Sequence, residues 1–260
     1  MSLKNMRNSI QLFTSDEPRG LETEPGLFIE RRQFLWLPVF AAAAFMSPKV
    51  IFAGDTTHPA VGTLAWDEFT KQCLPNAVEL HKDSTAQGQD AYLYWIASKA
   101  AQLDLTTRPP AKFGALEGLK PMVEFGVGYR GTPFFVVEWR MAPNAFLPPH
   151  CHPNASVCTL GIDGEAEVGN FEIVGEAPEF TSKQQFNVKE TRQGLVSNGR
   201  IITLSSKRDN IHTFQAGKNG ARGIDISTYH GPNIGFSYLE VENKVVDEAN
   251  HVYKAAWTKL

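Results

Sequence analysis

The sequence predicts a mainly β protein in which a helical segment precedes a barrel or sandwich. Apolar residues recur at helical spacing only between residues 64 and 105. From about Val123 onward, short β-branched and aromatic runs alternate with Gly, Pro and Asn turns. The chain has 260 residues, of which 42% are hydrophobic and 20% charged, as in a soluble domain with a substantial core.

The first 53 residues are predicted to lie outside the folded domain. Residues 1–26 are polar and lack a hydrophobic period, so we expect disorder there. Arg31 and Arg32 then precede an apolar run at residues 34–46, which is short for a membrane span. A positive pair before a short apolar stretch is typical of a signal peptide, and this pair resembles a twin-arginine export signal. We therefore expect a periplasmic or otherwise exported protein.

The nature of this signal segment stays open in two respects. Ile51 fits poorly three residues before a cleavage site, so the segment could remain as an uncleaved anchor. An ordinary secretion signal or a buried N-terminal helix would contain a similar apolar run.

The helical segment is expected within an N-terminal extension at residues 54–128. Asp90 is predicted to cap a helix that ends before the Pro109-Pro110 pair. One face of this helix carries Tyr92, Trp95, Ile96, Ala100 and Leu103. An apolar face of this kind predicts that the extension packs on the β region.

The β region is expected at residues 129–245, with a C-terminal tail at residues 246–260. Many short strands at roughly even spacing are typical of an all-β sandwich or barrel. The predicted strands lie at residues 134–139, 156–160, 165–174, 200–204, 211–214, 223–227 and 236–241. Turns are predicted at Asp163-Gly164, Asn198-Gly199 and Asn219-Gly220.

The most distinctive local feature is the pair His150 and His152, separated by Cys151. Alternate residues of a strand point to the same face, so both imidazoles can share one metal ion. By the same alternation Cys151 points away from the ion and is structural. Cys158 has the parity of His152 and would point inward unless a bulge intervenes.

A third metal ligand has to come from elsewhere in the chain, and His212 is the best candidate. It lies about sixty residues after the pair, in a later predicted strand of the β region. His58 and His81 precede the β region, His230 lies in a Gly-Pro loop, and His251 lies in the tail. These four histidines are expected at the surface.

Three stretches, in the same order, resemble segments of the thiol dioxygenases, the cupin family of cysteamine dioxygenase and plant cysteine oxidases. Residues 140–153, RMAPNAFLPPHCHP, are similar to the family's metal-binding strand with its His-Asp-His-Pro-Gly-Met. Residues 207–212, KRDNIH, are similar to its Arg-Asp-Asn-Leu-His, which supplies the third iron ligand. GIDI at 223–226, Tyr229 and FSY at 236–238 resemble a third conserved series of that family.

The resemblance implies a cupin fold, which is a double-stranded β-helix or jelly-roll barrel. It implies Fe(II) held by His150, His152 and His212, and an enzyme that adds O₂ to the sulfur of a small aminothiol or an N-terminal cysteine. Asp225 carries over as the partner of a substrate amine or of a ligand, and Tyr238 as a donor to bound oxygen. Each also fits a plainer role, Asp225 as a strand-end residue bonded to the backbone and Tyr238 as a core tyrosine.

The chain departs from the family pattern at several positions. Cys151 replaces the central Asp of His-Asp-His, and Asn154-Ala155 replaces Gly-Met. Residues 228–230, Thr-Tyr-His, stand where the family has Pro-Pro-Tyr, and Gly235 stands where some members cross-link a cysteine to a tyrosine. These departures fall near the substrate, so they bear on substrate identity more than on metal binding.

The charge of the predicted site gives an independent reason to expect a thiol substrate. Many cupins have a glutamate four residues after the second histidine, where this chain has Ser156. Three neutral imidazoles would leave a divalent ion its full 2+ charge and open coordination positions. Such a centre favours an anionic ligand, and a thiol is deprotonated when it binds a cation of this kind.

Other function classes are excluded or left as alternatives. The net charge of −3 and the lack of a basic stripe argue against nucleic acid as a partner. We expect a monomer whose partners are a small-molecule thiol and O₂, with no stable membrane span unless the signal is uncleaved. The alternatives are a Mn, Ni or Zn cupin acting on a carbon substrate, and a non-catalytic cupin that binds metal or ligand.

Overall fold

A computed structural model describes residues 62–115, 122–231 and 237–258. The predicted N-terminal disorder, the export signal within residues 1–53, His58 and Gly235 lie outside these ranges. None of the helices in the described ranges has the length and apolar character that crossing a membrane requires.

Two helices form the N-terminal part of the described chain. Helix α1 spans Trp66–Lys82 and helix α2 spans Ala86–Ala100, followed by a short 3₁₀ turn at Leu105–Thr107. The cap of α2 is Thr85, whose side chain accepts a hydrogen bond from the Gly88 amide at 3.1 Å. Asp90 therefore lies inside the helix and not at its cap, because the chain already offers a capping hydroxyl one turn earlier.

Ten strands within the described ranges form one closed sheet. The strands are β1 (Phe113–Ala115), β2 (Val123–Arg130), β3 (Phe134–Met141), β4 (Phe146–Cys151), β5 (Ala155–Val174), β6 (Phe186–Ser197), β7 (Ile201–Leu204), β8 (Ile211–Tyr229), β9 (Ser237–Asp247) and β10 (Val252–Thr258). Their order is β1-β2-β3-β8-β4-β9-β10-β6-β5-β7, and a further pairing of β5 with β8 closes the barrel. The fold is a cupin barrel, as the sequence predicted.

The sheet extends further along the chain than the expected limits of residues 129 and 245. Strand β1 and most of β2 lie within the segment predicted as a helical extension, and β2 pairs with β3 along its length with a register shift between Val127 and Tyr129. Strand β10 lies within the predicted tail and pairs with both β6 and β9. It has a buried face made of Val252, Ala255 and Trp257, whose spacing is not strictly alternate because the register shifts between Val252 and Ala255.

Two glycines that lie against each other allow the two longest strands, β5 and β8, to bend. Gly164 in β5 and Gly220 in β8 have φ angles of +63° and +78°, and a Cβ on Gly164 would lie 2.2 Å from the Gly220 oxygen. The predicted hairpin turns at these positions are wrong, because the strands continue through them with a register shift between Gly164 and Ala166. Only Asn198-Gly199 forms the predicted turn, between β6 and β7.

The helices cover one outer face of the barrel. Phe69 of α1 and Ile96 of α2 are fully buried against Phe134, Ile226 and other outward side chains of β3, β5 and β8. Cys158 belongs to the same cluster and so points outward, contrary to the predicted inward parity. The turn between β4 and β5 breaks the alternation that connected Cys158 to His152.

A second cluster fills the inside of the barrel. It draws Trp139, Leu147, Val168, Phe214 and Tyr238 from five different strands. Because these residues face one another across the closed sheet, they surround the space into which an inward-pointing ligand set would project.

A matched pair of tyrosines in α2 tests how strongly the helices are docked. Tyr92 is 7% exposed, and its hydroxyl lies 2.6 Å from Thr228 Oγ1, whereas Tyr94 is 63% exposed. We expect Tyr92→Ala to lower the free energy of unfolding by about 3–5 kcal/mol. Tyr94→Ala should change it by less than about 0.5 kcal/mol in the same urea titration. Equal effects of the two substitutions would contradict the docking described here.

Candidate metal centre

The pairing of β4 with β8 brings together histidines that are sixty residues apart in the chain. His150 is the direct antiparallel partner of His212. His152 follows two residues later, just beyond the end of β4. These three residues, the histidine triad, are the only group of three or more His, Cys, Asp or Glu ligand atoms found close together in the described ranges, and the atoms lie within 4.8 Å of one another.

The ring nitrogens of the triad face one another at short range. His212 Nε2 lies 2.9 Å from His150 Nε2 and 3.0 Å from His152 Nε2. Two nitrogens that share a first-row ion at roughly 2.0–2.1 Å, about 90° apart, lie about 3 Å from each other. The spacing of the triad therefore suits a single ion held by Nε2 atoms.

The protonation of the triad also suits a cation. His150 Nδ1 lies 2.8 Å from the Pro148 carbonyl oxygen, which can only accept, so Nδ1 carries the proton and Nε2 keeps its lone pair. Burial lowers the pKa of His150 to about 4 and that of His152 to about 3. Burial and the neighbouring histidines also hold the pKa of His212 well below its ordinary range. All three rings are thus neutral ligands at pH 7.

The convergence of the Nε2 atoms gives a further indication that the residues fit a metal ion. His212 is fully buried, and its Nδ1 has no hydrogen-bond partner among the described residues. Lone pairs on the converging Nε2 atoms would repel one another, and a cation between them relieves that repulsion. An ion at Nε2 would also leave the His212 proton on Nδ1.

No carboxylate of the described ranges joins the triad. Ser156, at the position where many cupins have a glutamate, is fully buried and faces α2. Its Oγ lies 3.5 Å from the Oε1 atom of Gln89, on the outer side of the barrel. The side chain at this position therefore points away from the triad.

Tyr238 lies beside the triad. It is the register partner of His150 in β9, and the two rings lie 5.6 Å apart between centroids. Tyr238 is 7% exposed, and burial raises the pKa of its phenol above the ordinary range. The phenol is therefore protonated at neutral pH and can donate a hydrogen bond.

Asp225 shares the barrel interior with the triad but does not touch it. Its neighbours Ile224 and Ile226 pack outward under the helices, so Asp225 points inward. Its Oδ1 accepts hydrogen bonds from Thr159 Oγ1 at 2.6 Å and from Trp139 Nε1 at 3.2 Å. These partners are side chains and not the backbone groups of the plainer interpretation.

The environment of Asp225 changes its acidity and links it to the triad through aromatic rings. Burial raises its pKa to about 6, although both hydrogen bonds oppose this shift. The ring of Trp139 lies 5.3 Å from that of Phe214, which in turn lies 4.7 Å from that of His212. The carboxyl group thus stands two aromatic rings away from the nearest metal-binding candidate.

The remaining histidines of the described ranges stay outside the triad. His81 is exposed, and its Nδ1 donates to the Tyr229 carbonyl at 2.6 Å. His251 is also exposed, as predicted. His230 is partly buried and not a surface residue, and burial lowers its pKa to about 4.

Three residues around the site were not identified from the sequence. Trp139 and Thr159 bind Asp225, and Asn210 bonds to the backbone of His152. Alternation along β3 could have assigned Trp139 to the inner face of the sheet. Its contact with Asp225 of β8 depends on the register between the two strands. Asn210 belongs to the motif at residues 207–212 that contains His212, but the motif did not indicate the role of Asn210.

Comparison with known proteins adds little beyond the architecture. No family profile matches the chain, and no curated protein has a significantly similar sequence. KdgF from Halomonas sp. is 14% identical with a TM-score of 0.32, over 45% of this chain and 87% of that one. An oxalate oxidase in complex with the substrate analogue glycolate is 19% identical with a TM-score of 0.34, over 48% of this chain and 59% of that one.

A third similar structure carries the name of the fold. It is an uncharacterized conserved protein with a double-stranded beta-helix domain from Klebsiella pneumoniae, 17% identical with a TM-score of 0.35. The match covers 48% of this chain and 88% of that one. By its own strand order this chain has the fold of a cupin barrel. Its interior holds three histidines that offer a metal site.

Removal of one ligand tests the metal centre. We expect His212→Ala to weaken binding of Fe(II) or Co(II) by more than the roughly 100-fold caused by loss of an outer-shell partner. Metal per chain after dialysis, measured by mass spectrometry, should fall accordingly. His81→Ala removes an exposed histidine and should retain the ion. Unchanged metal content in His212→Ala would show that the triad is not the binding site.

Proposed function

We propose that this protein is an Fe(II)-dependent thiol dioxygenase that oxidises a small aminothiol or an N-terminal cysteine to a sulfinic acid. The observation that carries the proposal is the convergence of three neutral imidazole nitrogens without a carboxylate from the described ranges. A ligand set of this kind leaves the 2+ charge of an ion uncompensated, so the site favours a thiolate. The ordered resemblance of residues 134–242 to thiol dioxygenases supports the same chemistry.

The proposed reaction balances without a further reductant. One thiol and one O₂ give one sulfinic acid, RSH + O₂ → RSO₂H, in which sulfur is oxidised and both oxygen atoms are reduced. Bound Fe(II) would supply the redox chemistry that joins O₂ to sulfur. The two oxygen atoms of the product therefore both come from O₂ and none from water.

Side chains of the barrel would bind the substrate and hold protons around this centre. The ring of Phe214 lies next to His212 and that of Trp139 lies next to Phe214, and together they would form an apolar wall that limits the access of water. The Tyr238 phenol keeps its proton because it is buried, and it lies beside His150. In the proposed reaction its Oη–H would donate a hydrogen bond to an oxygen atom.

Asp225 would bind the amine of the substrate. Its Oδ1 is fixed by Trp139 and Thr159, which orients the carboxyl group within the barrel interior. A carboxylate in a partly enclosed site attracts an ammonium group more strongly than one in water. The sulfur would then lie toward the triad and the amine toward Asp225.

The direct test is oxygen transfer to a panel of thiols by protein with verified Fe(II) content. With cysteamine or a peptide bearing an N-terminal cysteine, we expect O₂ consumption and a product heavier by two oxygen atoms. Under ¹⁸O₂ both added atoms should carry the label, and the same experiment in H₂¹⁸O should add none. Protein that holds iron but oxygenates none of these thiols would instead favour a cupin acting on carbon or a binding protein.

Replacement of Asp225 tests how the amine is recognised. Asp225→Asn retains an oxygen that can accept from Trp139 and Thr159 but removes the charge. We expect kcat/KM for cysteamine to fall about 10- to 100-fold, which corresponds to the loss of one charge-assisted hydrogen bond. A thiol of similar size without an amine should change by less than about twofold. Equal losses for both substrates would contradict this role.

The raised pKa of Asp225 predicts a pH dependence of this selectivity. Because its pKa is about 6, the carboxyl is mostly ionised at pH 7 and mostly protonated at pH 5. The preference for aminothiol over amine-free thiol should therefore decline as the pH falls through 6. A ratio of two thiol substrates cancels titrations that affect both of them equally. The ratio measured with Asp225→Asn should show no such change.

A further inference from the structure

We infer that Asn210 is a positioning residue that fixes His152 relative to His212 and so sets the geometry of the triad. The inference rests on the metal-binding part of the proposed function and not on the thiol reaction. The ladder between β4 and β8 holds His150 directly opposite His212. His152 lies beyond the last residue of β4, where only one further backbone hydrogen bond continues this ladder.

Asn210 holds the His152 backbone with two hydrogen bonds, one that continues the ladder and one from its side chain. The His152 amide donates to the Asn210 carbonyl oxygen at 3.2 Å. In the other direction, Asn210 Nδ2 donates to the His152 carbonyl oxygen at 2.9 Å. Residue 210 thus binds both sides of the His152 backbone, two positions before His212 in the chain. The separation of the two imidazoles depends on this bridge.

The turn that precedes Asn210 is itself held firmly. Ser205 and Arg208 exchange backbone hydrogen bonds of 2.8 and 3.3 Å, and Asn210 Nδ2 also donates to the Ser205 carbonyl at 3.2 Å. Asp209 has a φ of +55°, a left-handed conformation that a non-glycine residue adopts only at a cost of roughly 1–3 kcal/mol. Contacts that compensate this cost must therefore surround Asp209.

Asp209 has such contacts on every side. Its Oδ1 accepts from Thr191 Oγ1 at 2.6 Å, and its Oδ2 accepts from Arg208 Nη1 at 2.9 Å. Its amide donates to Glu172 Oε1 at 3.0 Å, and its carbonyl accepts from Asn170 Nδ2 at 3.2 Å. The anchor of Asn210 therefore lies on β5 and β6, which do not carry a triad residue.

The consequence is a triad that is arranged before an ion arrives. Without the Nδ2 bond, the His152 carbonyl retains only the Ala155 amide at 3.2 Å, and the turn keeps the His152 amide bond to Asn210 and the Asn154 carbonyl bond to the His230 amide. The His152 backbone therefore gains freedom to move. Binding an ion would then require ordering of this turn, so affinity falls and the ligand geometry changes. Asn210 also borders a surface cavity of about 240 Å³, so water can reach the space left by a smaller side chain.

The test uses the full chain in its metal-free form, titrated with Co(II). Asn210→Ala removes the amide, and Asn210→Asp keeps its size but removes the donor that faces two carbonyl oxygens. The matched control is Gln215→Ala, which removes an amide that donates to the Asn144 carbonyl at 2.9 Å near the other end of the β4–β8 pair. The measurements are the Co(II) dissociation constant, the visible absorption spectrum of bound Co(II), and the melting temperature of the metal-free protein.

A positioning role predicts about 10- to 100-fold weaker Co(II) binding and an altered spectrum in both Asn210 variants, with Gln215→Ala unchanged. Asn210→Asp provides the comparison if Asn210→Ala does not fold. A lower melting temperature with the wild-type spectrum and affinity would mean a merely structural role and overturn the inference, as would a wild-type protein that binds no Co(II). Wild-type protein that binds the ion but oxidises no thiol would refute only the thiol reaction.

Discussion

The antiparallel pairing of β4 with β8 is the constraint on which the candidate metal centre depends. It places His150 opposite His212, and the pairing of β4 with β9 places Tyr238 on the other side of His150. All three side chains point into the barrel because they are direct partners across adjacent strands. A shift of one residue in this register would turn the inward set toward the outside. The site is therefore a property of the sheet as much as of the residues.

Burial gives this site its chemical character. Removal from water holds the three imidazoles in their neutral form and keeps the Tyr238 phenol protonated. The helices contribute indirectly, because α2 contacts the barrel through Gln89, toward which Ser156 points. The position that many cupins use for a carboxylate ligand thus serves to dock the helical extension. The same packing that stabilises the extension leaves the triad without a negative charge.

The sequence by itself determined the fold class and the members of the triad. Strands with clear alternation, such as β3, and the motifs around His150, His152 and His212 carry strong local signals, because strand period and ligand type depend on neighbouring residues. Much of β6 lacks such a signal, since its polar side chains outnumber the apolar ones. In β10 a register shift between Val252 and Ala255 interrupts the alternation. Asp163-Gly164 and Asn219-Gly220 are residue pairs that are also typical of hairpin turns. The sequence therefore could not distinguish a bend within a strand from a turn between two strands.

Only the tertiary structure decided which residues surround the triad. Asp225 meets Trp139 and Thr159 from two neighbouring strands, and these contacts depend on registers that are set across the whole sheet. Cys158 points outward because the turn at residues 152–154 ends the alternation that begins at His150. The sequence gives the chemical identity of each side chain. Which side chains contact one another follows from closure of the barrel. Closure joins segments that are distant in the chain, and no local pattern encodes that distance.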